Sequence, residues 1–133
     1  MKKKIYILLI LSIFISCSKI KDDNEKYLGQ YEWIYSYWRF NDWGSNLNFS
    51  DPNNITDRFA IVIYKNYVCL FQNGSLTEKY RIKGINILDI DKCEISTKDY
   101  VFTIDNNILS CSFFPFINSD GSKSGSNIFE HTK

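Results

Sequence analysis

The stretch RFAIVIYKNYVCLFQNGSLTEKYRI, residues 58–82, carries the pattern that decides the fold. Phe59, Ile61 and Ile63 share one parity, as side chains on one face of a strand do. Lys65-Asn66 makes a two-residue turn, and residues 67–72 return antiparallel. Asn73-Gly74 follows. A type I′ turn needs positive φ at both central positions, and this dipeptide tolerates it better than any other, so a second hairpin is predicted. Residues 76–83 form the next strand, with Tyr80 and Ile82 on one face and Lys79, Arg81 and Lys83 on the other. Gly84 breaks it.

The same grammar extends both ways. Upstream, residues 30–40 read QYEWIYSYWRF. Tyr31, Trp33, Tyr35 and Tyr37 share one parity, and strict alternation places all of them on a core. Residues 41–56 are rich in Asn, Asp, Ser and Gly and read as a long loop. Downstream, residues 87–90 and 92–97 form one bent strand or two short ones. Lys98-Asp99 is a turn, and 100–104 is a strand with Tyr100, Phe102 and Ile104 on one face. Asp105-Asn106-Asn107 turns, 108–114 returns, 117–126 is a loose loop, and NIFEH, 127–131, is a last short strand. No stretch shows convincing helical periodicity. Turn signals recur at roughly 8–12-residue spacing, which indicates an all-β sandwich or barrel, and hairpins without a long crossover favour an up-and-down meander. Closing that meander would remove exposed strand edges.

The N-terminus has a separate logic. Lys2, Lys3 and Lys4 precede an apolar run over residues 5–15, interrupted only by Ser12. A basic segment before an apolar stretch of this length is the layout of a secretory signal, and the run is shorter than the about 20 residues that span a bilayer. Residues 1–16 are therefore read as a signal peptide, 17–26 as a flexible polar tether and 27–133 as the domain. Setting the signal aside leaves 13 Lys+Arg against 15 Asp+Glu, a net charge near −2, with the signs interspersed. No basic face for nucleic acid is expected.

Phe14-Ile15-Ser16-Cys17 resembles the lipobox of bacterial lipoproteins. That resemblance implies cleavage before Cys17, a lipid thioether on its sulfur, and membrane attachment through acyl chains, of which two or more hold a soluble domain stably. Lys21-Asp22-Asp23-Asn24-Glu25 is similar to signals that export such lipoproteins to the cell surface, and is equally a solvated tether. Tyr27-Leu28-Gly29-Gln30-Tyr31-Glu32-Trp33-Ile34-Tyr35-Ser36 resembles the first strand of lipocalin-like lipoproteins of Gram-negative bacteria, which open with Gly-x-Trp and a second Trp. Gly29 and Trp33 match, and Tyr31 stands at the first Trp. Residues 58–82 and the NIFEH ending are similar to the hairpins and last strand of that family. The resemblance implies a small eight-stranded lipocalin-like barrel in the outer membrane, with room for one small ligand.

Chemistry is sparse. The only histidine, His131, is read as a strand-end surface residue. Carboxylates are plentiful but scattered; Asp89 and Asp91 lie on one face of an extended segment, better suited to solvating a strand edge than to catalysis. No catalytic motif, metal centre or cofactor is expected, and the chain is read as a non-enzyme. Cys69, Cys93 and Cys111 lack the close spacing of a zinc site; one disulfide with a spare thiol, or none, fits them. Trp33, Tyr35, Tyr37, Phe59, Phe71, Tyr80, Phe102 and Phe113 are candidates to line a site for a small apolar ligand, or to fill the interior solidly. Trp38, Phe40 and Trp43 are candidates for contact with an envelope protein partner, the alternative being a structural or assembly role in which a solid barrel docks on a membrane complex.

Overall fold

A computed structural model describes residues 20, 22–40, 47–112 and 123–132. A 3-10 helix, Asp22–Tyr27, leads into ten strands: β1 Gly29–Phe40, β2 Asn48–Ser50, β3 Phe59–Ile63, β4 Tyr67–Gln72, β5 Ser75–Arg81, β6 Gly84–Asp89, β7 Lys92–Ser96, β8 Val101–Asp105, β9 Ile108–Cys111 and β10 Lys123–His131. All join one antiparallel sheet in the order β5-β4-β3-β1-β10-β9-β8-β7-β6, with β2 paired to β1 off that path. The all-β meander holds, curled into a half-barrel. Among the described residues it has ten strands where eight were expected, because β2 forms inside the stretch read as loop and residues 84–96 give two strands.

The turn chemistry works as the residues dictate. Asn73 and Gly74 take φ of 52° and 80°, and Gln72 pairs with Ser75 across them. Asn73 also clamps the entry to β3: its Oδ1 accepts from Arg58 N at 2.8 Å and its Nδ2 donates to Asp57 Oδ1 at 2.9 Å.

β5 and β6 end the ladder, yet only Ile82 and Lys83 separate them. The chain over 75–89 therefore pairs with β4 in its first half and with β7 in its second. Ile82 is fully buried, its N–H donates to the Asn66 carbonyl at 2.9 Å, and Lys83 N donates to the Ser96 carbonyl at 2.7 Å. The sheet's two ends thus meet at a covalent corner rather than through a ladder.

The concave face is packed. Tyr27, Tyr31, Ile61, Ile63, Leu70, Ile82, Ile95, Phe102, Ile104, Leu109 and Phe129 are all essentially inaccessible. Each such side chain contributes about 1.5–3 kcal/mol of burial, and large rings fill the space in which a small barrel would otherwise hold a ligand.

Alternation fails at one point in β1. Trp33 pairs with Phe129 and Tyr35 with Ile128, so Ile34 is an extra residue, a β-bulge. The bulge reverses the parity beyond it. Tyr31 and Trp33 point inward, as expected, and Ser36 is buried after them. Tyr35 and Tyr37 leave the core row and stack on each other, ring centroids 6.4 Å apart, with Tyr35 40% exposed. Their assignment to an interior ligand site is corrected accordingly.

Packing also reaches back before Tyr27. Ile20 is fully buried in the core, and its N–H donates to the Lys65 carbonyl at 3.0 Å.

Candidate functional site

β1 changes partners along one edge. Gly29–Glu32 pair with β3, and Ser36, Tyr37 and Trp38 pair with β2. Residues 33–35, which include the bulge, pair with neither. A cleft of about 570 Å³ lies beside this break, within the size range of small-molecule sites.

Its floor is aromatic. Trp33 and Phe59 meet edge to face, centroids 5.5 Å apart, and Phe71 lies beside them. Gln30 and Glu32, on the outward parity of β1, form one wall, and Gln30 Nε2 donates to Glu32 Oε1 at 3.3 Å. Pro52 and Arg58 form the other. The loop carrying them is shaped by its own side chains: Asp51 Oδ1 accepts from Asn53 N at 2.8 Å and Asn54 N at 3.2 Å. Arg58 Nη1 reaches the carbonyls of Ile55, Pro52, Asp57 and Thr56 at 3.0–3.4 Å. The arrangement suits a ligand with one flat apolar face and a polar edge, since aromatic rings offer contact area and the amide, carboxylate and guanidinium fix orientation.

The expected ligand-binding set divides. Trp33, Phe59 and Phe71 line the cleft. Phe102 is fully buried and serves as core. Tyr80 packs against the core edge, its ring 5.2 Å from that of Tyr100, and burial pushes its hydroxyl pKa up to about 12. Tyr35 and Tyr37 lie outside. Of the residues expected to meet a partner, Trp38 is half-buried, and its carbonyl accepts from Asn48 Nδ2 at 3.4 Å. Phe40 ends β1. Trp43, Phe113 and Cys17 lie outside the described residues.

Glu32, Gln30 and Arg58 escape notice in the sequence. Strand polarity makes Glu32 and Gln30 ordinary solvent-facing residues, and only the change of partner beside them creates a wall. Ser36 and Asn127 are also silent there. Both are fully buried and bonded to each other at 2.6 Å.

A second, polar cleft of about 360 Å³ opens at the start of β1, lined by Glu25, Lys26, Tyr27, Leu28, Asp91 and His131 among others. His131 is half-buried rather than on the surface, with Nε2 2.8 Å from the Leu28 carbonyl and its ring edge-on to Tyr31 at 4.6 Å. The Cβ absent at Gly29 would sit 2.9 Å from that Nε2. Lys26 pairs with Asp91 at 3.0 Å, and this hydrogen bond raises its pKa. Asp89 accepts from Ile90 N instead. The two carboxylates thus have separate structural partners.

Cys69, Cys93 and Cys111 are buried. Burial pushes the Cys93 thiol up to about 11, away from a reactive thiolate. Among the described residues no group of three or more His, Cys, Asp or Glu side chains could hold a metal, and no helix is long and apolar enough to cross a membrane. Compared with known protein families, curated proteins and solved structures, the chain matches none.

Proposed function

We propose that this chain is a lipocalin-like lipoprotein of the outer membrane, anchored through lipid on Cys17, that acts by binding rather than by catalysis. The ligand is a small molecule with an apolar, flat face, and it is held at the rim of the half-barrel instead of inside it. The supporting observation is the pairing of a filled interior with an aromatic-floored, polar-walled cleft at the break in β1 pairing. A cofactor has no part in this reading.

A docking role on an envelope partner is the second reading. Its support is the outward row made by Tyr35, Tyr37 and Phe49, the last 65% exposed and paired with Tyr37 across the strands.

Two measurements test the proposal. Cys17→Ser should move the protein from the membrane to the soluble fraction; unchanged partitioning contradicts the anchor. Native mass spectrometry of the full chain, released in detergent, should show a bound small molecule. Ala60→Tyr fills the cleft from β3 without touching the core, and should abolish that mass. Retention of the ligand by Ala60→Tyr, or its loss only in Phe102→Leu, places it elsewhere and overturns the cleft.

A further inference from the structure

The chain is tied down close to its proposed anchor. Ile20 is fully buried, and its N–H donates to the Lys65 carbonyl in the β3–β4 turn at 3.0 Å. Cys17 precedes it by three positions, which even a fully extended chain spans in about 11 Å. A small domain is about 30 Å across. A lipid on Cys17 therefore holds the end of the half-barrel around Lys65 within reach of the bilayer, and cannot bring the other end there.

Several turns gather at the held end. The 3-10 helix Asp22–Tyr27 crosses it. On one side Glu25 Oε1 pairs with Lys65 Nζ at 3.7 Å. On the other, Lys26 Nζ pairs with Asp91 Oδ1 at 3.0 Å and donates to the Ile90 carbonyl. Adjacent residues of one helix thus tie the β3–β4 turn to the β6–β7 turn. The β8–β9 turn joins them, since Asn106 N donates to the Asp91 carbonyl and His131 N to the Asn107 carbonyl, both at 2.8 Å.

Two apolar side chains stand out from these turns. Ile90 is 81% exposed, more than any other large apolar side chain among the described residues, and Tyr64 is 50% exposed. Lys65 and Lys92 adjoin the two turns. Glu25 and Asp91 are each paired with a lysine, which offsets their charge. An aliphatic group for the acyl boundary, a phenol for the headgroup level and lysines with apolar stems suit a bilayer interface. A single exposed isoleucine is ordinary on a protein surface. What distinguishes Ile90 is its place beside the chain that leads to the lipid.

Given the lipid anchor on Cys17, on which this reading depends, we propose that the end of the half-barrel formed by residues 64–66 and 90–91 rests on the lipid bilayer, with Ile90 at the acyl boundary. Arg58 and Gly74 lie at the other end of the β3–β4 hairpin, where Phe59 opposes Gln72. That side of the aromatic cleft then faces the aqueous compartment, from which its ligand enters.

Ile90→Cys and Ser75→Cys test this, because both positions are exposed and Cys69, Cys93 and Cys111 are buried, so an environment-sensitive fluorophore labels one site. Full-length lipidated protein is placed in vesicles of phosphatidylethanolamine and phosphatidylglycerol that contain a lipid brominated in its acyl chains. The protein should float with the vesicles, and the label at 90 should be quenched severalfold more than the label at 75. Flotation with equal quenching at both positions overturns the docked end and leaves the anchor standing. Failure to float overturns the anchor, and the docked end with it. A label at 90 that is blue-shifted but unquenched puts protein rather than lipid against Ile90, and also overturns the proposal.

Discussion

The indole Nε1 of Trp33 donates to the hydroxyl of Ser36 across 2.8 Å, and that hydroxyl lies 2.6 Å from Asn127 Oδ1. Asn127 Nδ2 continues the chain to the Cys111 carbonyl at 3.3 Å. The bulge at Ile34 makes this possible, because it turns Ser36 inward beside the ring it serves. Removing one member of a buried network leaves its neighbours desolvated, so Ser36→Ala should cost about 1–3 kcal/mol in urea unfolding. A variant as stable as the parent would show that the network adds nothing.

Ile20 tests how far the folded unit reaches. Truncating a fully buried isoleucine costs about 2–5 kcal/mol, so Ile20→Ala should lower the unfolding midpoint clearly. An exposed tether residue would change it by no more than about 0.5 kcal/mol.

Gly125 sits against β1 without room for a side chain. A Cβ there would lie 2.0 Å from the Tyr37 carbonyl oxygen and 2.6 Å from Trp38 Cα. Gly125→Ala should therefore force the β1–β10 ladder apart and destabilise by more than the about 1 kcal/mol typical of point changes. Hydrogen exchange at Tyr37 and Trp38 should rise with it. At Gly74 a Cβ meets nothing within 4 Å, and φ of 80° is the only obstacle. Gly74→Ala should cost about 1–2 kcal/mol, through backbone strain alone.

Alkaline pH should weaken the fold. Burial raises Tyr80 to about 12 and pushes Tyr27 and Tyr31 upward as well, against 10.0 for a free phenol. The folded state therefore holds protons that the unfolded state releases. This contribution is intact below pH 10 and is lost as pH climbs through the raised values. Phenolate absorbance after a jump to pH 11.5 should appear in two phases, exposed rings at once and the buried Tyr27 and Tyr31 with unfolding. A single fast phase would contradict their burial.

The sequence made the hairpins legible because their cause is local. Asn73-Gly74 states its own φ angles, and Phe59, Ile61 and Ile63 state their face. The bulge in β1 was hidden, since Ile34 looks like any strand residue and the extra count appears only against β10, far along the chain. Tyr35 and Tyr37 were misplaced for that reason. β2 was hidden by its Asn-rich surroundings, which have turn chemistry whether or not three residues pair. The cleft followed both into obscurity. It is a product of β1 trading β3 for β2, a tertiary event with no marker in composition or period.

The seam between β1 and β10 joins the opening of the domain to its close, with Ser36 and Asn127 separated by 91 positions. A ribosome must finish β10 before the middle of β1 has a neighbour on that side. Until then the nascent polypeptide has hairpins but no completed wall. Such dependence on distant partners slows folding. The native shape of the domain is therefore postponed until its last strand is made.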